Sequence, residues 1–151
     1  MQGDEVTSNV RTIDSLPLEL RNGETRTFEM RGEIVLPLAG FEQMNKERIE
    51  AGEEPYRNPR NTASGSLKLQ DSAEVATRPL DCLLYQLVSD EIDLPTHFEQ
   101  LEYAREMGFK VPATIKLCRS IDEVFNFLDE WDEKRHELPY ETDGVVIKVT
   151  F

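Results

Sequence analysis

A lysine inside an apolar run makes the end of the chain a place where chemistry could occur. Asp143 and Gly144 form a turn signal, and residues 145–149 follow it with β-branched side chains that favour a strand. Because side chains alternate along a strand, Val145, Ile147 and Val149 would share one face, opposite Lys148. An ordinary solvent-facing lysine fits the same pattern. On a half-buried strand, Lys148 needs an anionic partner.

A second segment, residues 27–36, also combines an apolar face with a charged one. Its alternation places Arg31 and Glu33 opposite a set of apolar side chains. The apolar set is Phe28, Met30, Ile34 and Leu36. Two strands that each bury one face and direct charge from the other suit the polar wall of a cleft. We therefore predict that Glu33 and Lys148 face one cleft.

The composition bounds the class of protein. A chain of 151 residues with 38% hydrophobic residues is long enough for one domain. No apolar run reaches the roughly 20 residues needed to cross a bilayer, and the first residues lack a signal-peptide pattern. These features predict a soluble, unexported protein of the cytoplasm. Cys82 and Cys118 lack metal-ligand spacing and are predicted to be buried reduced thiols, while His97 and His136 are predicted at the surface.

The charge is unevenly distributed. A formal charge of −13 argues against a free-standing nucleic-acid clamp, because phosphate binding depends on cations. Residues 57–78 nevertheless carry four basic and two acidic side chains, whereas residues 90–143 carry fifteen acidic and six basic ones. Residues 56–66 are rich in turn formers around Pro59, which predicts a structured loop. Its arginines could present guanidinium groups to phosphate, although solvated surface is an equal alternative.

Other elements follow from local signals. The pattern predicts a helix over residues 40–51 and a strand over residues 79–88. Capping boxes predict helices opening at Thr96 and at Ser120. In the second of these helices, five apolar residues recur at helical spacing and predict a buried face. They are Ile121, Val124, Phe125, Leu128 and Trp131. Arg135 follows one turn later, which places it at the edge of the core.

Four ordered motifs resemble those of the bacterial NAD-dependent DNA ligases. They are Arg31-Gly-Glu33, Asn58-Pro-Arg-Asn-Thr-Ala-Ser-Gly-Ser-Leu67, Arg78-Pro-Leu80 with Tyr85, and Thr142-Asp-Gly-Val-Val-Ile-Lys-Val149. Val6-Thr-Ser-Asn-Val-Arg-Thr-Ile13 and Leu16-Pro17 also match, so the resemblance covers nearly the whole chain. It implies that residues 1–151 form a single domain, part of the adenylation domain of a larger ligase. The implied fold is an α+β nucleotidyltransferase fold with antiparallel sheets flanked by helices, incomplete at both ends.

The resemblance also implies an activity. In that family a lysine attacks the α-phosphorus of NAD, expels nicotinamide mononucleotide and carries AMP as a phosphoramidate. AMP then passes to the 5′-phosphate of a nick in duplex DNA, and the 3′-hydroxyl displaces it. Magnesium assists the phosphoryl chemistry, and zinc belongs only to C-terminal domains that this chain lacks. The implied partners are nicked duplex DNA and the other ligase domains in cis, with no membrane.

Site residues carry over by position. Glu33, Tyr85, Asp143 and Lys148 match nucleotide-binding residues: Tyr85 would stack on adenine, and the charge of Lys148 would stabilise the transferred phosphate. A second set matches arginines, or stands at arginine positions, expected to contact DNA phosphates. That set is Arg60, Lys68, Arg78 and Arg135. No metal ligand is implied.

Departures from the family pattern shape the prediction of activity. The Lys-x-Asp-Gly motif that carries the nucleophile is expected upstream, and only Gly3-Asp4-Glu5 remains of the next segment. The last motif, with a second essential lysine, is expected after Phe151, and Lys68 stands where many members have arginine. No catalytic nucleophile is therefore assigned, and the isolated chain is predicted to be inactive. Alternatives are another covalent nucleotidyltransferase, such as an RNA ligase or capping enzyme, and a non-catalytic nucleotide- or DNA-binding module.

Overall fold

The computed structural model describes residues 2–150, so Met1 and Phe151 lie outside the described residues. The architecture is α+β, as predicted, with one two-stranded sheet and surrounding helices in the described part. The strands are Glu29–Val35 (β1) and Asp81–Val88 (β2). The helices are Thr7–Val10 (α1), Leu38–Glu50 (α2), Pro59–Leu67 (α3), Ser72–Ala76 (α4), His97–Met107 (α5) and Ile121–Lys134 (α6), followed by the 3₁₀ turn Arg135–Glu137.

Both strands lie where the alternation of the sequence predicts them, and they pair antiparallel. Glu33 lies opposite Leu83 and Gly32 opposite Leu84, but Arg31 lies opposite Gln86. The register shift leaves Tyr85 as an extra residue of β2, a β-bulge. A Cβ at Gly32 would lie 2.7 Å from the Leu83 carbonyl oxygen, so the two strands approach too closely there for a side chain.

The core lies between the sheet and the helices that contact it, chiefly α3 and α5. Leu36 is buried and Ile34 packs partly against the same cluster, so the predicted apolar face of β1 does face the core. Phe28 contributes to a second, smaller cluster and meets the Phe109 ring edge-on at 6.1 Å. The fully or nearly buried members of the main cluster are Ile13, Leu36, Ala63, Val75, Leu80, Cys82, Leu84, Leu101, Ala104 and Val111.

Two helices begin where their capping boxes predict. The Thr96 hydroxyl accepts a hydrogen bond from the Glu99 amide at 3.2 Å, and α5 ends at Gly108, whose φ of 103° favours glycine. The Ser120 hydroxyl accepts from the Glu123 amide at 3.2 Å and opens α6. The helix predicted over residues 40–51 is observed as α2. It begins two residues earlier than predicted, directly after Pro37.

The prediction of a loop over residues 56–66 is wrong beyond Asn58, because residues 59–67 form α3. Asn58 is the N-cap, and its side-chain oxygen accepts a hydrogen bond from the Asn61 amide at 2.8 Å. Pro59 occupies the first turn, where proline lacks only an amide that would have no partner inside the helix. The same Asn-Pro pair that suggested a turn is therefore a helix start.

The predicted buried face of α6 is also wrong. The helix forms, but none of its residues is buried, and Ile121 and Phe125 are largely exposed. Helical periodicity shows which side chains share a face, but it does not provide the surface that covers them.

Among the described residues, no helix has the length and apolar composition required to cross a membrane.

The predicted strand over residues 145–149 is likewise not observed. Residues 141–150 have neither helix nor strand, and Val146, Ile147 and Val149 are mostly exposed. A strand is stable only when its backbone amides and carbonyls pair with a neighbouring strand. In the described structure, the sheet consists of β1 and β2 alone, and part of the free edge of β2 is taken by a bond from the Leu84 amide to the Lys110 carbonyl.

Candidate functional site

A cleft of about 760 Å³ lies between the sheet, the start of α3 and the segment that follows α6. Five of the residues predicted from the sequence line it, although they come from five separate places in the chain. They are Glu33 on β1, Tyr85 on β2, Arg60 in the first turn of α3, Arg135 at the 3₁₀ turn, and Asp143. The fold thus brings together an aromatic ring, two carboxylates and two guanidinium groups.

Glu33 and Arg60 form the polar wall beside the sheet. The Arg60 Nε lies 3.7 Å from a Glu33 carboxylate oxygen, and the two side chains are 77% and 52% exposed. A surface ion pair of this kind contributes only about 0–1 kcal/mol. Either side chain can therefore leave the other and bind a ligand at little cost in free energy.

Tyr85 and Lys148 meet at the edge of the cleft. The Lys148 ammonium lies 4.8 Å from the centroid of the Tyr85 ring, within cation–π range. The anionic partner predicted for Lys148 is replaced here by an aromatic face, and the lysine comes from an extended segment rather than from a strand. Glu33 and Tyr85 line the cleft and Lys148 does not, so a cleft shared by Glu33 and Lys148 stays a prediction, supported only by the contact of Lys148 with Tyr85.

The segment carrying Lys148 is also held at the start of α5. The Thr150 hydroxyl accepts a hydrogen bond from the Phe98 amide at 3.1 Å. Partial burial lowers the pKa of His97, and the positive charge of Lys148 lowers that pKa further. The hydrogen bond from Phe98 thus keeps the end of this segment beside the first turn of α5.

The opposite wall is fixed to the start of α2. The Leu38 amide donates to the Pro139 carbonyl at 2.7 Å, which ties the segment after α6 to the start of α2. Tyr140 and His136 line this wall, and neither was predicted as a site residue. The available signal was the position of Tyr140, two residues before the Thr142-Asp-Gly motif.

The remaining predicted phosphate ligands lie elsewhere. Lys68 caps the C-terminal end of α3, exposed, and is not among the cleft-lining residues. The Arg78 side chain is only 14% exposed and is engaged inside the protein. It donates to Ser66 Oγ at 2.7 Å and to the Tyr56 hydroxyl at 3.3 Å, and it lies 3.8 Å from a Glu74 carboxylate oxygen.

The two cysteines differ in their environment. Cys82 is buried on β2, and this burial, with the nearby charge of Asp81, raises the pKa of its thiol to about 11. Cys118 is only half-buried, so the prediction of two buried thiols is correct for Cys82 alone. Both thiols are free, and neither borders the cleft.

The chemistry of the cleft favours a nucleotide. An exposed aromatic ring can stack on a base, a carboxylate can accept hydrogen bonds from sugar or base, and arginines can bind phosphate oxygens. Within residues 2–150, no group of three or more His, Cys, Asp or Glu side chains is arranged to hold a metal ion.

Comparison with known proteins agrees with this chemistry. The sequence model of the NAD-dependent DNA ligase adenylation domain matches residues 1–150. The DNA ligases of Flavobacterium johnsoniae and Christiangramia forsetii are 64% and 62% identical to this chain over 98% of its length, and that of Phocaeicola vulgatus is 52% identical over 99%. The chain spans only 22% or 23% of the length of these relatives. It belongs to the adenylation-domain family of the NAD-dependent DNA ligases.

Proposed function

We propose that this chain is the nucleotide-binding part of an NAD-dependent DNA ligase, which seals nicks in duplex DNA. The observation that carries the proposal is the convergence of Glu33, Tyr85, Arg60, Arg135 and Asp143 on one cleft in a member of this family. The proposal includes the nucleotidyltransferase fold and a role of residues 1–151 as part of one adenylation domain. It also includes the wider role of such an enzyme in DNA replication and repair.

The cleft residues divide the work of binding adenylate. The face of Tyr85 that Lys148 does not cover offers a stacking surface for adenine, and the Glu33 carboxylate is placed to accept hydrogen bonds from the nucleoside. Lys148, already above the Tyr85 ring, supplies a positive charge for the phosphate that is transferred. Asp143 lines the far wall of the cleft, five residues before Lys148.

The DNA-contacting role falls to cations around this cleft. Lys68, the C-cap of α3, follows Arg60 by eight residues, which places it about 80° around the helix and about 12 Å along its axis from Arg60. Both are exposed, and Arg135 faces the cleft from the opposite wall. Charge-assisted bonds from these groups would hold the DNA backbone near the adenylated phosphate.

The proposal places the ligase in the bacterial cytoplasm, associated with the nucleoid when it is bound to DNA. Magnesium is commonly held by substrate phosphates with one or two carboxylates rather than by a protein cage. In this proposal the magnesium ion is carried by the phosphates of the nucleotide. Zinc is assigned to no residue of this chain.

The first experiment compares two exposed arginines of the same basic segment in the full-length protein. Arg60→Ala should slow nick sealing at least tenfold, while Arg57→Ala, which changes a residue outside the cleft, should leave sealing nearly unchanged. Neither change should alter the free energy of unfolding by more than about 0.5 kcal/mol. Normal sealing by Arg60→Ala would refute the DNA-contacting role, and a collapsed thermal midpoint would make Arg60 structural.

A second experiment uses the isolated chain. None of its lysines stands in a Lys-x-Asp-Gly motif, so incubation with NAD and magnesium should leave its intact mass unchanged. A stoichiometric adduct of the mass of AMP would contradict the proposed division of roles. An adduct mapped to Lys148 would identify that lysine as the nucleophile.

Two other functions remain as alternatives, and the same assays distinguish them. A non-catalytic module with this fold would bind adenylate or DNA but would not support sealing in its full-length protein. Another covalent nucleotidyltransferase, such as an RNA ligase, would use ATP or GTP instead of NAD. The family match over residues 1–150 favours the ligase.

A further inference from the structure

A row of hydrogen bonds runs along the inner side of α3. Ser66 Oγ donates to the Thr62 carbonyl at 2.6 Å, and Thr62 Oγ1 donates to the Asn58 carbonyl at 2.8 Å. Ser66 and Thr62 are buried, and the three residues are spaced four apart, so they form one stripe of the helix. We call Asn58, Thr62 and Ser66 the inner stripe.

Arg78 anchors this stripe from outside the helix. One guanidinium nitrogen donates to Ser66 Oγ at 2.7 Å, and the other donates to the Tyr56 hydroxyl at 3.3 Å. Tyr56 is itself fixed, because its backbone amide and carbonyl both bond to the Asn45 side chain of α2, at 2.7 and 3.0 Å. Through Arg78, α3 is therefore attached to α2 by groups whose positions are set.

The inner stripe determines where Arg60 points. At 100° per residue, Arg60 lies about 200° around the helix from Thr62, on the opposite side. Holding the inner stripe against Arg78 therefore turns Arg60 away from it, toward Glu33 on β1. A rotation of α3 about its axis would move Arg60 out of the cleft without unfolding the helix.

We propose that Arg78 is a positioning residue, which sets the rotation of α3 and thereby holds Arg60 at the cleft, instead of contacting phosphate itself. The inference rests on the proposed DNA-contacting role of Arg60. It requires a planar fork at position 78, because two acceptors on different segments must be bound at once. A lysine ammonium would keep the charge but would not span both acceptors in this geometry.

The test measures nicked-duplex affinity at several salt concentrations in the full-length protein. Arg78→Gln should weaken nick binding and raise KM for nicked DNA, and Arg78→Lys should be no better than Arg78→Gln. In an Arg60→Ala background, Arg78→Gln should have no further effect, and the slope of log affinity against log salt should stay that of Arg60→Ala alone. The matched control is Arg48→Gln, which also removes a cation from Tyr56 but leaves Ser66 bonded to Arg78.

Each contrary outcome has a distinct meaning. If the two losses add and the salt slope falls by about a further 0.9, Arg78 contacts a phosphate directly and the inference is overturned. The inference is also overturned if Arg78→Gln lowers the thermal midpoint and reduces nick binding and self-adenylation with NAD equally. Arg78 would then be a residue of general stability. If Arg60→Ala leaves nick binding unchanged, the proposed function of the cleft fails first. If Arg60 matters and Arg78→Gln does not, only the positioning inference falls.

Discussion

Two regions of similar apolar character behave differently in this molecule. All the buried side chains of the described structure lie between Asn9 and Val111, and we call residues 7–111 the packed region. Residues 112–150, the distal region, contain none, although their sequence includes a strongly amphipathic helix and the apolar run at residues 145–149. Hydrophobic content alone therefore does not decide which segments form a core.

The difference lies in the partners available to each region. In the packed region, β1 and β2 pair with each other and α3 and α5 cover them, so backbone groups and apolar faces are satisfied together. In the distal region, α6 meets chiefly the 3₁₀ turn that follows it, and residues 141–150 pair with no strand in the described structure. The cleft lies where the two regions meet, so its walls have unequal support.

The largest expected contrast comes from truncating one aliphatic side chain in each region. Leu36 is 1% exposed and Ile147 is 63% exposed. Leu36→Ala should lower the free energy of unfolding by about 2–5 kcal/mol, because it removes buried contacts and leaves a cavity. Ile147→Ala should change it by less than about 0.5 kcal/mol. Urea denaturation of the isolated chain measures both, and equal losses would show that the distal region is packed in solution.

A second contrast uses the two cysteines, one in each region. At pH 8 a thiol with a pKa of about 11 has roughly a hundredfold less thiolate than a free cysteine. Burial of Cys82 adds a steric barrier, so alkylation of the folded chain should proceed at Cys118 and leave Cys82 unmodified. Mass spectrometry of digests taken over time measures this directly.

Cys118→Ser provides the control, because all remaining alkylation then reports on Cys82. Modification of Cys82 should become fast only in denaturant. Rapid alkylation of Cys82 in the native Cys118→Ser chain would indicate that β2 opens readily, contrary to the comparison of the two regions.

These contrasts indicate how much of the molecule the sequence could predict. The strands, α5 and the start of α6 followed from alternation and from capping boxes at Thr96 and Ser120, because such signals act within a few residues. The nature of the Asn58-Pro59 junction could not be resolved, because an asparagine before proline suits both a turn and a helix N-cap. Residues 145–149 have the alternation of a strand, but strand formation depends on a neighbour that no local pattern supplies.

The candidate site was predictable to a similar extent. The resemblance to a family and the strand pattern both pointed to Glu33, and the structure places it in the cleft. The bulge that leaves Tyr85 without an opposite residue could not be foreseen, since a register shift is a property of two strands together. The burial of Arg78 was missed for the same reason, because Ser66 and Tyr56 reach it only through the tertiary fold.

A third prediction contrasts two glycines. Gly32→Ala would bring a Cβ within 2.7 Å of the Leu83 carbonyl oxygen, a backbone atom that cannot move alone. We expect a loss of about 1–3 kcal/mol in the free energy of unfolding from this overpacking. Gly144→Ala in the distal region meets nothing within 4 Å and should be nearly neutral. Thermal unfolding of both variants gives the comparison, and a neutral Gly32→Ala would mean that the two strands separate easily at the bulge.

The smallest expected effect concerns acid stability. Asp81 is partly buried, which favours its neutral form, but hydrogen bonds from Lys110 and Ser15 outweigh that burial and lower the pKa of its carboxyl. A carboxyl whose pKa is lower in the folded chain adds stability above its unfolded pKa of about 3.9, and that stability is lost as the pH falls through the folded value. Asp81→Asn should therefore flatten the loss of stability between about pH 5 and pH 3, by less than about 1 kcal/mol.

Glu130 in α6 also has a lowered pKa, caused by its hydrogen bond with Lys134, but this pair is exposed and open to screening by salt. In 0.5 M salt the contribution of Glu130, measured with Glu130→Gln, should disappear while that of Asp81 persists. Loss of both contributions in salt would place Asp81 in an environment as open as that of the distal region.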